Sequence, residues 1–282
     1  MATTPKGRAL GIALRKVRKE CGITLRELAS MIGRHSGEIS RWENAERPLT
    51  PERVAQILTA LGVNGERFQE IVALAYDSKN PPWVATTLPE REQQLSALIE
   101  FEQTATLITA VAPLLVPGLL QDRGYIQAIM SAGGVPPSEI PTRIAIRVGR
   151  RDAITRAQPV RFVGLIGEAV LHQVVGSRKV MAQQLRHLGE MNGRPNVSLR
   201  VIPYKSGWHP ALEGAFTLID SDNATPIVQL ENRRSTLLLH EEDDVSAYQE
   251  AIEQLQSAAL NEHDSIKLIS GVFERLEKNR DT

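Results

Sequence analysis

Cysteine, long apolar runs and net charge are all scarce in this sequence of 282 residues. Cys21 is the only cysteine, so an internal disulfide is excluded, and such low cysteine use is typical of reducing compartments. The longest apolar candidate, Leu107 to Leu120, contains two prolines and is shorter than the roughly 20 residues that span a bilayer. The first ten residues, MATTPKGRAL, contain no apolar signal core. These absences predict a cytoplasmic protein.

The sequence signatures of catalysis and metal binding are also missing. The chain has no HExxH, GxSxG, CxxC, P-loop or GxGxxG motif. Its six histidines, at positions 35, 172, 187, 209, 240 and 263, include no pair at the i, i+4 spacing of a helical metal site. We therefore predict that the protein is not an enzyme and uses neither a cofactor nor a metal.

Charge is distributed unevenly although the formal net charge is zero. Residues 1–47 contain ten Lys and Arg against five Asp and Glu, a net of +5, so residues 48–282 carry −5. Residues 241–282 alone contain eleven acidic side chains against four basic ones. A basic N-terminal part on an acidic body suits nucleic-acid binding through the basic part.

The stretch LRELASMIGRHSGEISRWE, residues 25–43, has the spacing of a helix-turn-helix. The small Ala29 allows a second helix to pack closely, and Gly33 can adopt the left-handed geometry of a tight turn. Ile39 and Trp42 then face inward at a helical spacing of three. The pattern predicts a DNA-binding unit whose second helix starts in the major groove.

Capping residues delimit the helices of this predicted N-terminal domain. Thr24 and Glu27 form a capping box at the start of the second helix. Ser36 is the obvious N-cap of the recognition helix, although His35 could hold that place. The five expected helices cover residues 10–20, 24–32, 36–44, 50–61 and 64–76. Residues 1–9 would form a flexible arm whose Lys6 and Arg8 could reach a DNA backbone, and Cys21 would be a buried small hydrophobe.

The outward-facing residues of this unit are the candidate DNA contacts. The fork of Arg41 can grip a phosphate, or O6 and N7 of guanine, whereas Ser36 and Ser40 can donate to phosphates. Glu38 could accept from N4 of cytosine, or it could repel the backbone and lower non-specific affinity. Asn44 could cap the helix or meet the backbone. The predicted DNA-binding residues are Arg26, Arg34, His35, Ser36, Gly37, Glu38, Ser40, Arg41, Asn44 and Arg47.

The rest of the chain predicts an α+β domain. A proline-rich linker over residues 78–89 separates a DNA-binding domain, residues 1–77, from a regulatory and dimerisation domain, residues 90–282. A long helical pattern covers residues 90–112, and the helical part extends to residue 156. Five β-rich runs between residues 160 and 240 then enclose one helix, and two terminal helices lie within residues 244–280. The fold class is mainly α, with a five-helix N-terminal domain and a mixed sheet of about five strands flanked by helices.

Two clusters in this second domain are candidate sites for a ligand or a companion protein. Gln121, Arg147, Arg150 and Arg151 could line a pocket or an interface, but helical basic faces are more often solvated. Trp208 and His209 lie in a loop that could bind a ligand or partner, although packing of Trp208 across the sheet edge is the commoner arrangement.

Several separate runs, in the same order, resemble a known regulator family. Residues 10–62 are similar to the Xre-type, phage-repressor-like helix-turn-helix family, and the whole chain resembles the WhiJ-like regulators of actinobacteria. In that family such a head precedes a domain of unknown function. The matching runs are PLLVPGLLQ, YIQAIM, RVGRRDAITR, EAVLHQVVG, VMAQQLRHL, RPNVSLRVIP and GAFTLID.

The resemblance implies a dimeric regulator of double-stranded DNA, often acting in a toxin–antitoxin-like pair with a small protein encoded beside it. Relatives usually have Gln in place of Leu25, Ser or Thr in place of His35, and Lys, Thr or Tyr in place of Glu38. Those positions normally touch phosphates and bases, so the operator sequence stays unreadable. Three hypotheses follow: a transcription regulator on half-sites about 34 Å apart, an antitoxin-like interaction module, and a small-molecule sensor with a pocket among residues 113–156 and 203–214.

Overall fold

The computed structural model describes residues 4–76, 83–85, 87–222, 224–233 and 235–278. Within these ranges the chain forms two compact units. Unit 1 comprises residues 1–101 together with 223–245, and unit 2 comprises residues 102–222 together with 246–282. No helix in the described ranges is both long and apolar enough to cross a membrane.

Unit 1 begins with five short helices, as the sequence predicts. The first starts at Pro5 and not at Leu10, because the Thr4 side chain accepts a hydrogen bond from the Gly7 amide and proline suits the first helical position. The expected flexible arm is therefore wrong from residue 4 onward, and residues 1–3 lie outside the described ranges. We call the five helices the head: α1 (Pro5–Glu20), α2 (Leu25–Met31), α3 (Ser36–Glu43), α4 (Pro51–Ala60) and α5 (Gly65–Ala75).

The core of the head is apolar and tightly packed. A Cβ atom added to Gly11 of α1 would lie 2.6 Å from the Glu43 carbonyl oxygen, so only glycine permits this approach of α1 to the end of α3. Cys21 is exposed, contrary to expectation, and its Sγ is 3.5 Å from the Leu61 carbonyl oxygen. The buried apolar side chains of the head include Leu10, Leu14, Val17, Leu28, Ile39, Val54, Ile57 and Leu58.

Arg8 does not reach outward for DNA. Its guanidinium carbon lies 4.5 Å from the centroid of the Phe101 ring, and Nη1 donates to the Thr225 carbonyl oxygen at 3.1 Å. Burial lowers the pKa of Arg8 to about 10. The side chain thus links α1 to two distant segments of unit 1, so its predicted role in the arm is wrong.

Seven strands are found in the described ranges, two more than predicted. The five β-rich runs of the sequence are confirmed as β3 to β7. The additional strands are β1, which lies in the expected linker, and β2, which lies in the expected long helix. The strands are β1 (Trp83–Ala85), β2 (Leu107–Ala112), β3 (Arg161–Gly167), β4 (Val197–Ile202), β5 (Phe216–Ser221), β6 (Ala224–Glu231) and β7 (Thr236–Leu239).

The strands of unit 1 pair antiparallel in the order β1–β7–β6. Trp83 faces Leu238 in the β1–β7 register, and both side chains are buried. A strand within residues 78–89 was unexpected, because three prolines in that region favour a linker. Residues 78–82 and 86 of that predicted linker lie outside the described ranges, and its last two residues, 88 and 89, begin the helix that follows.

The strands of unit 2 form a mixed sheet in the order β5–β2–β3–β4. Strands β2, β3 and β4 are parallel, and β5 pairs antiparallel with β2. Helix α6 (Leu88–Thr104) ends before β2 begins, so the predicted continuous helix over residues 90–112 is wrong. Buried side chains alternate with partly exposed ones in β4 but not in β2. The sequence of β2 therefore lacks the alternation that identifies a strand.

The predicted combination of a helical head and an α+β domain is confirmed. Helix α11 is the expected helix between β3 and β4, and it packs against α13, which also packs against β4. Short 3₁₀ turns cover Gly118–Leu120, Tyr204–Ser206 and Pro210–Glu213. The remaining helices are α7 (Arg123–Ala132), α8 (Ile140–Arg150), α9 (Asp152–Thr155), α10 (Ala169–His172), α11 (Arg178–Asn192), α12 (Glu242–Ala258) and α13 (Glu262–Lys278).

Candidate nucleic-acid interface

The turn between α2 and α3 depends on Gly33. Its φ is +63°, in the left-handed region that side chains with a Cβ rarely adopt. The Arg34 amide donates to the Ala29 carbonyl oxygen at 2.8 Å and so closes the end of α2. No atom lies within 4 Å of a Cβ built on Gly33, so conformation and not space requires glycine here. The predicted turn is confirmed.

The capping box at Thr24 and Glu27 is also confirmed and fixes the start of α2. The Glu27 amide donates to the Thr24 hydroxyl at 3.2 Å, and the Thr24 amide donates to the Glu27 carboxylate at 2.7 Å. The pKa of Glu27 is lowered, first by the Thr24 amide and then by the Thr24 hydroxyl, because hydrogen bonds to its carboxylate favour the ionised form.

At the start of α3, His35 holds the N-cap position and Ser36 is the first helical residue. Of the two alternatives, Ser36 as N-cap is therefore wrong. The Glu38 carboxylate accepts from the His35 amide at 3.4 Å and lies 3.9 Å from the Arg47 guanidinium. The Glu38 carboxylate therefore accepts a hydrogen bond at the N-terminus of its own helix and lies close to a neighbouring cation.

The inward face of α3 is anchored by Ile39 and Trp42, both buried as the sequence predicts. A buried ion pair adds a polar anchor: Arg18 Nε lies 2.6 Å from Glu43 Oε1, and Nη2 lies 2.8 Å from Oε2. Hydrogen bonding to Glu43 raises the pKa of Arg18. Arg18 is therefore a buried charged residue of α1.

Sequence reasoning missed this pair because its two residues lie 25 positions apart. The only sequence feature that could have indicated the pair is the position of Arg18 directly after the core residue Val17, and such a position is weak evidence that a charged side chain is buried. Arg15 also contacts this region, since Nη2 donates to the Glu43 carbonyl oxygen at 3.2 Å and to the Asn44 side chain. Arg15, Arg18 and Glu43 together position α3 from within the head.

The predicted DNA-contact residues occupy α2, the turn, α3 and the segment after α3. Asn44 is the C-cap of α3, which fits its expected capping role, and its Nδ2 donates to Glu46 at 3.2 Å. Exposed members of the set are Arg26, Arg34, His35, Gly37, Arg41, Asn44 and Arg47, whereas Ser36, Glu38 and Ser40 are partly exposed. Their contact with DNA stays a prediction.

Three arginines of this set differ from the other arginines of the head. Within the described ranges, the guanidinium groups of Arg26, Arg34 and Arg41 make no hydrogen bond and no ion pair. Arg15, Arg18 and Arg47 each lie within 4.0 Å of a carboxylate. Unpaired, exposed guanidinium groups on a helix-turn-helix are available to phosphates and base edges.

The predicted cluster in unit 2 is mostly engaged internally. Gln121 is buried; its Nε2 donates to the Val116 carbonyl oxygen at 2.7 Å and its Oε1 accepts from Arg147 at 3.2 Å. Arg151 donates to the carbonyl oxygens of Leu119 and Gln121, and burial lowers its pKa. The expectation of a solvated basic face is wrong for these side chains.

Arg150 is separate from that arrangement. Its Nη2 and Nε donate to the Glu102 carboxylate at 2.6 and 2.8 Å, in a largely buried pair. The structure thus brings Gln121, Arg147 and Arg151 together and directs Arg150 to another partner. A ligand or partner role for the four stays a prediction.

Trp208 is 68% exposed in the loop that follows β4, so its expected packing across the sheet edge is wrong. His209 beside it is partly buried, and its Nδ1 has no hydrogen-bond partner in the described part of the chain. The loop therefore presents an aromatic surface next to an unused polar atom.

This geometry defines a helix-turn-helix protein: residues 9–71 match the family described as a helix-turn-helix domain. Such a domain points to a DNA-binding regulator. Residues 95–271 match the family described as domain of unknown function DUF5753. Because that match covers more than half of the chain, the protein belongs to this family. No curated protein and no solved structure matches the chain.

Proposed function

We propose that this protein is a sequence-specific transcriptional regulator that inserts the start of α3 into the major groove of DNA. The observation that carries the proposal is the set of unpaired, exposed guanidinium groups of Arg26, Arg34 and Arg41 on the helix-turn-helix. Nearby arginines are held by carboxylates, so these three are the cations of the set left for an external anion. The proposed role is binding and not catalysis, and a regulator of chromosomal DNA acts in the cytoplasm.

Phosphate contacts and base contacts have different expected roles here. Cations that meet phosphates release counterions and make binding steeply dependent on salt. Arg41, on the outer face of α3, can form a two-point contact with guanine, which is worth about 1–3 kcal/mol of discrimination. Arg26 and Arg34 flank α3 and are assigned to phosphates.

The proposal is tested by comparing Arg41→Ala with Arg67→Ala on an operator found by genome-wide footprinting. Arg67 belongs to the same head but is ion-paired with Glu20, so it is a matched control. Arg41→Ala should weaken operator binding by about 1–3 kcal/mol and relax the preference at one base. Unchanged affinity for Arg41→Ala, together with binding insensitive to salt, would overturn the proposal.

The proposal includes a dimer that places two heads on half-sites about 34 Å apart. DNA binding is assigned to residues 1–77, and regulation and dimerisation are assigned to residues 90–282. Support comes from the resemblance of the chain to the WhiJ-like regulators of actinobacteria, with an Xre-type head. Footprints of paired, symmetric half-sites would agree with it, whereas a single unpaired half-site would contradict the dimer.

Regulation by a small companion protein, in an antitoxin-like arrangement, is the alternative that the same resemblance supports. Co-purification of the product of a neighbouring gene, and a change of the footprint when it is added, would support this alternative. A protein that purifies without such a partner and binds its operator alone would count against it.

A small-molecule effector is supported by a cavity of about 220 Å³ between α1, α5 and α6 of unit 1, which is not the pocket predicted among residues 113–156 and 203–214. Ile12, Val17 and Leu74 line it together with Lys16 and Glu70, so it suits a small amphipathic molecule. Because α1 packs against α3, a ligand here would act next to the recognition helix. Thermal shifts with a metabolite panel test this role, and the absence of any shift would contradict it.

A further inference from the structure

The loops at the carboxyl ends of the parallel strands in unit 2 expose large apolar side chains. Parallel strands end at the same edge of a sheet, so the loops after β2, β3 and β4 are neighbours. Each contributes side chains that are between 42% and 68% exposed. We call this surface the apolar edge, defined by Leu114, Leu115, Val174, Tyr204, Trp208 and Leu212.

The backbone beneath the apolar edge is held together by short contacts. A Cβ on Gly167, at the end of β3, would lie 2.5 Å from the Pro113 carbonyl oxygen after β2. The Glu168 amide donates to the Ile202 carbonyl oxygen at 2.9 Å, and the Glu168 carboxylate accepts from the Tyr204 amide at 2.9 Å. The three strand ends therefore present a preformed surface, which lowers the entropy cost of binding.

The apolar edge carries little charge. The three loops, residues 113–117, 168–177 and 203–215, contain Glu168, Lys205 and Glu213 as their only Asp, Glu, Lys or Arg residues. Glu168 is already engaged with the Tyr204 amide and lies 3.6 Å from His172. Two copies of this surface would face one another without a like-charge barrier, whereas a strongly charged partner would find no complement.

The exposed apolar area is of the size that a dimer core needs. An aromatic side chain can bury about 150–250 Å², and Tyr204 and Trp208 are 65% and 68% exposed. With the three leucines and Val174, the patch reaches several hundred Å², against about 800 Å² per partner in a stable interface. Exposed Tyr and Trp side chains also match the aromatic enrichment of interface cores.

We propose that the apolar edge is the surface through which two copies of this chain associate in an isologous dimer. In such a dimer the same patch of each copy packs against the other about a two-fold axis. The proposal rests on the proposed function, because two heads on paired half-sites require two linked copies. It assigns that link to Trp208 and its neighbours at the ends of the parallel strands.

Trp208 supplies a direct readout of this association. The chain has three tryptophans, and Trp42 and Trp83 are only 8% and 6% exposed, so quenching by acrylamide reports chiefly on Trp208. Quenching and sedimentation would be measured together from nanomolar to tens of micromolar protein. We expect a dimer to form with rising concentration and the quenchable fraction of the emission to fall with it.

Two matched variants locate the interface. Leu212→Glu places a charge in the apolar edge and should raise the dimer dissociation constant by about 30-fold or more. Ile146→Glu places the same charge on α8, at a side chain that is 41% exposed outside the edge, and should leave dimerisation unchanged. Circular dichroism of both variants checks that the fold is retained.

Three results would overturn the proposal: a monomer at all concentrations, a dimer in which Trp208 stays fully quenchable, or protection of Trp208 only after a companion protein is added. The last result would assign the apolar edge to binding of the companion protein. Failure here is distinguishable from failure of the proposed function. If the protein is a monomer that binds one half-site through Arg41, the proposed DNA binding stands and the proposed interface fails. If it is a dimer with Trp208 protected that binds no DNA, the proposed interface stands and the proposed function fails.

Discussion

Arg18 and Glu43 form a two-point ion pair in the interior of the head, with N–O distances of 2.6 and 2.8 Å. Arg18 comes from α1 and Glu43 ends α3, so the pair ties the recognition helix to the first helix of the chain. The Arg18 guanidinium also donates to the Ile23 carbonyl oxygen at 2.8 Å, just before α2. One side chain of α1 thus contacts both the segment before α2 and the end of α3.

Glu43→Gln should destabilise the head strongly. It leaves the buried Arg18 guanidinium without its counter-charge, which costs about 3–5 kcal/mol in comparable buried pairs. The double variant Arg18→Met, Glu43→Leu removes both charges and should recover most of that loss. Urea unfolding of the two variants gives the comparison. A single variant as stable as the double one would contradict a role for the pair.

Gly11→Ala should destabilise the head and weaken DNA binding. The added Cβ would lie 2.6 Å from the Glu43 carbonyl oxygen, so α1 and α3 must move apart, at a cost of about 1–3 kcal/mol. Gly189→Ala in α11 is the control, since nothing lies within 4 Å of its added Cβ, and it should be neutral or slightly stabilising. Thermal unfolding distinguishes them; equal melting temperatures would argue against the close approach.

Glu38→Gln should raise affinity for non-specific DNA by about 2- to 5-fold at low salt, because it removes one negative charge from the binding face. The Glu38 carboxylate already faces the His35 amide and Arg47, so we expect repulsion of phosphates and not readout of cytosine. Titration with random and operator duplexes separates the two roles. A selective loss of operator affinity would instead assign Glu38 to a cytosine.

Stability should fall as the pH drops through about 6.5 and below. Burial lowers the pKa of His240, Arg8 lowers it further, and Glu241 and Asp244 oppose the shift. Because the folded pKa is below the unfolded value of 6.5, the unfolded chain takes up the proton first. The contribution of neutral His240 is therefore complete above the unfolded pKa and is lost below it.

Melting temperatures between pH 5 and 7.5 test this effect, with His240→Gln and His263→Gln compared. His240→Gln should show a shallower dependence than the unmodified protein, whereas His263→Gln, at an exposed position of α13, should not. His187 is partly buried and burial lowers its pKa as well, so part of the dependence should remain in the His240 variant. An unchanged slope for His240→Gln would reject the assignment.

The head could be predicted because its signals are local. Thr24 with Glu27, and Gly33 between two short helices, act over three to six residues, and the structure has them where the spacing indicates. Arg18 could not be placed, because its burial depends on Glu43, which is distant in sequence. Local spacing also leaves open which exposed side chains of α3 meet DNA.

The strands and contacts of unit 2 are harder to predict from the sequence, for a different physical reason. Strand β2 lies between two neighbouring strands and is almost entirely buried, so its run LITAVA lacks the alternation that identifies a strand. The exposure of Trp208 was also misjudged, since an aromatic residue in a loop is ordinarily expected to pack. The engagement of Arg150 with Glu102 depends on a contact across 48 positions.

The three-stranded β1–β7–β6 arrangement joins chain segments that are synthesised far apart in time. Residues 102–222 separate the two parts of unit 1, and at about 5–20 residues per second they take roughly 6 to 24 seconds to translate. During that interval β1 has no strand partner, Trp83 is without Leu238, and Arg8 is without the Thr225 carbonyl oxygen. The five helices of the head emerge first, but the unit that contains them is completed only late in synthesis.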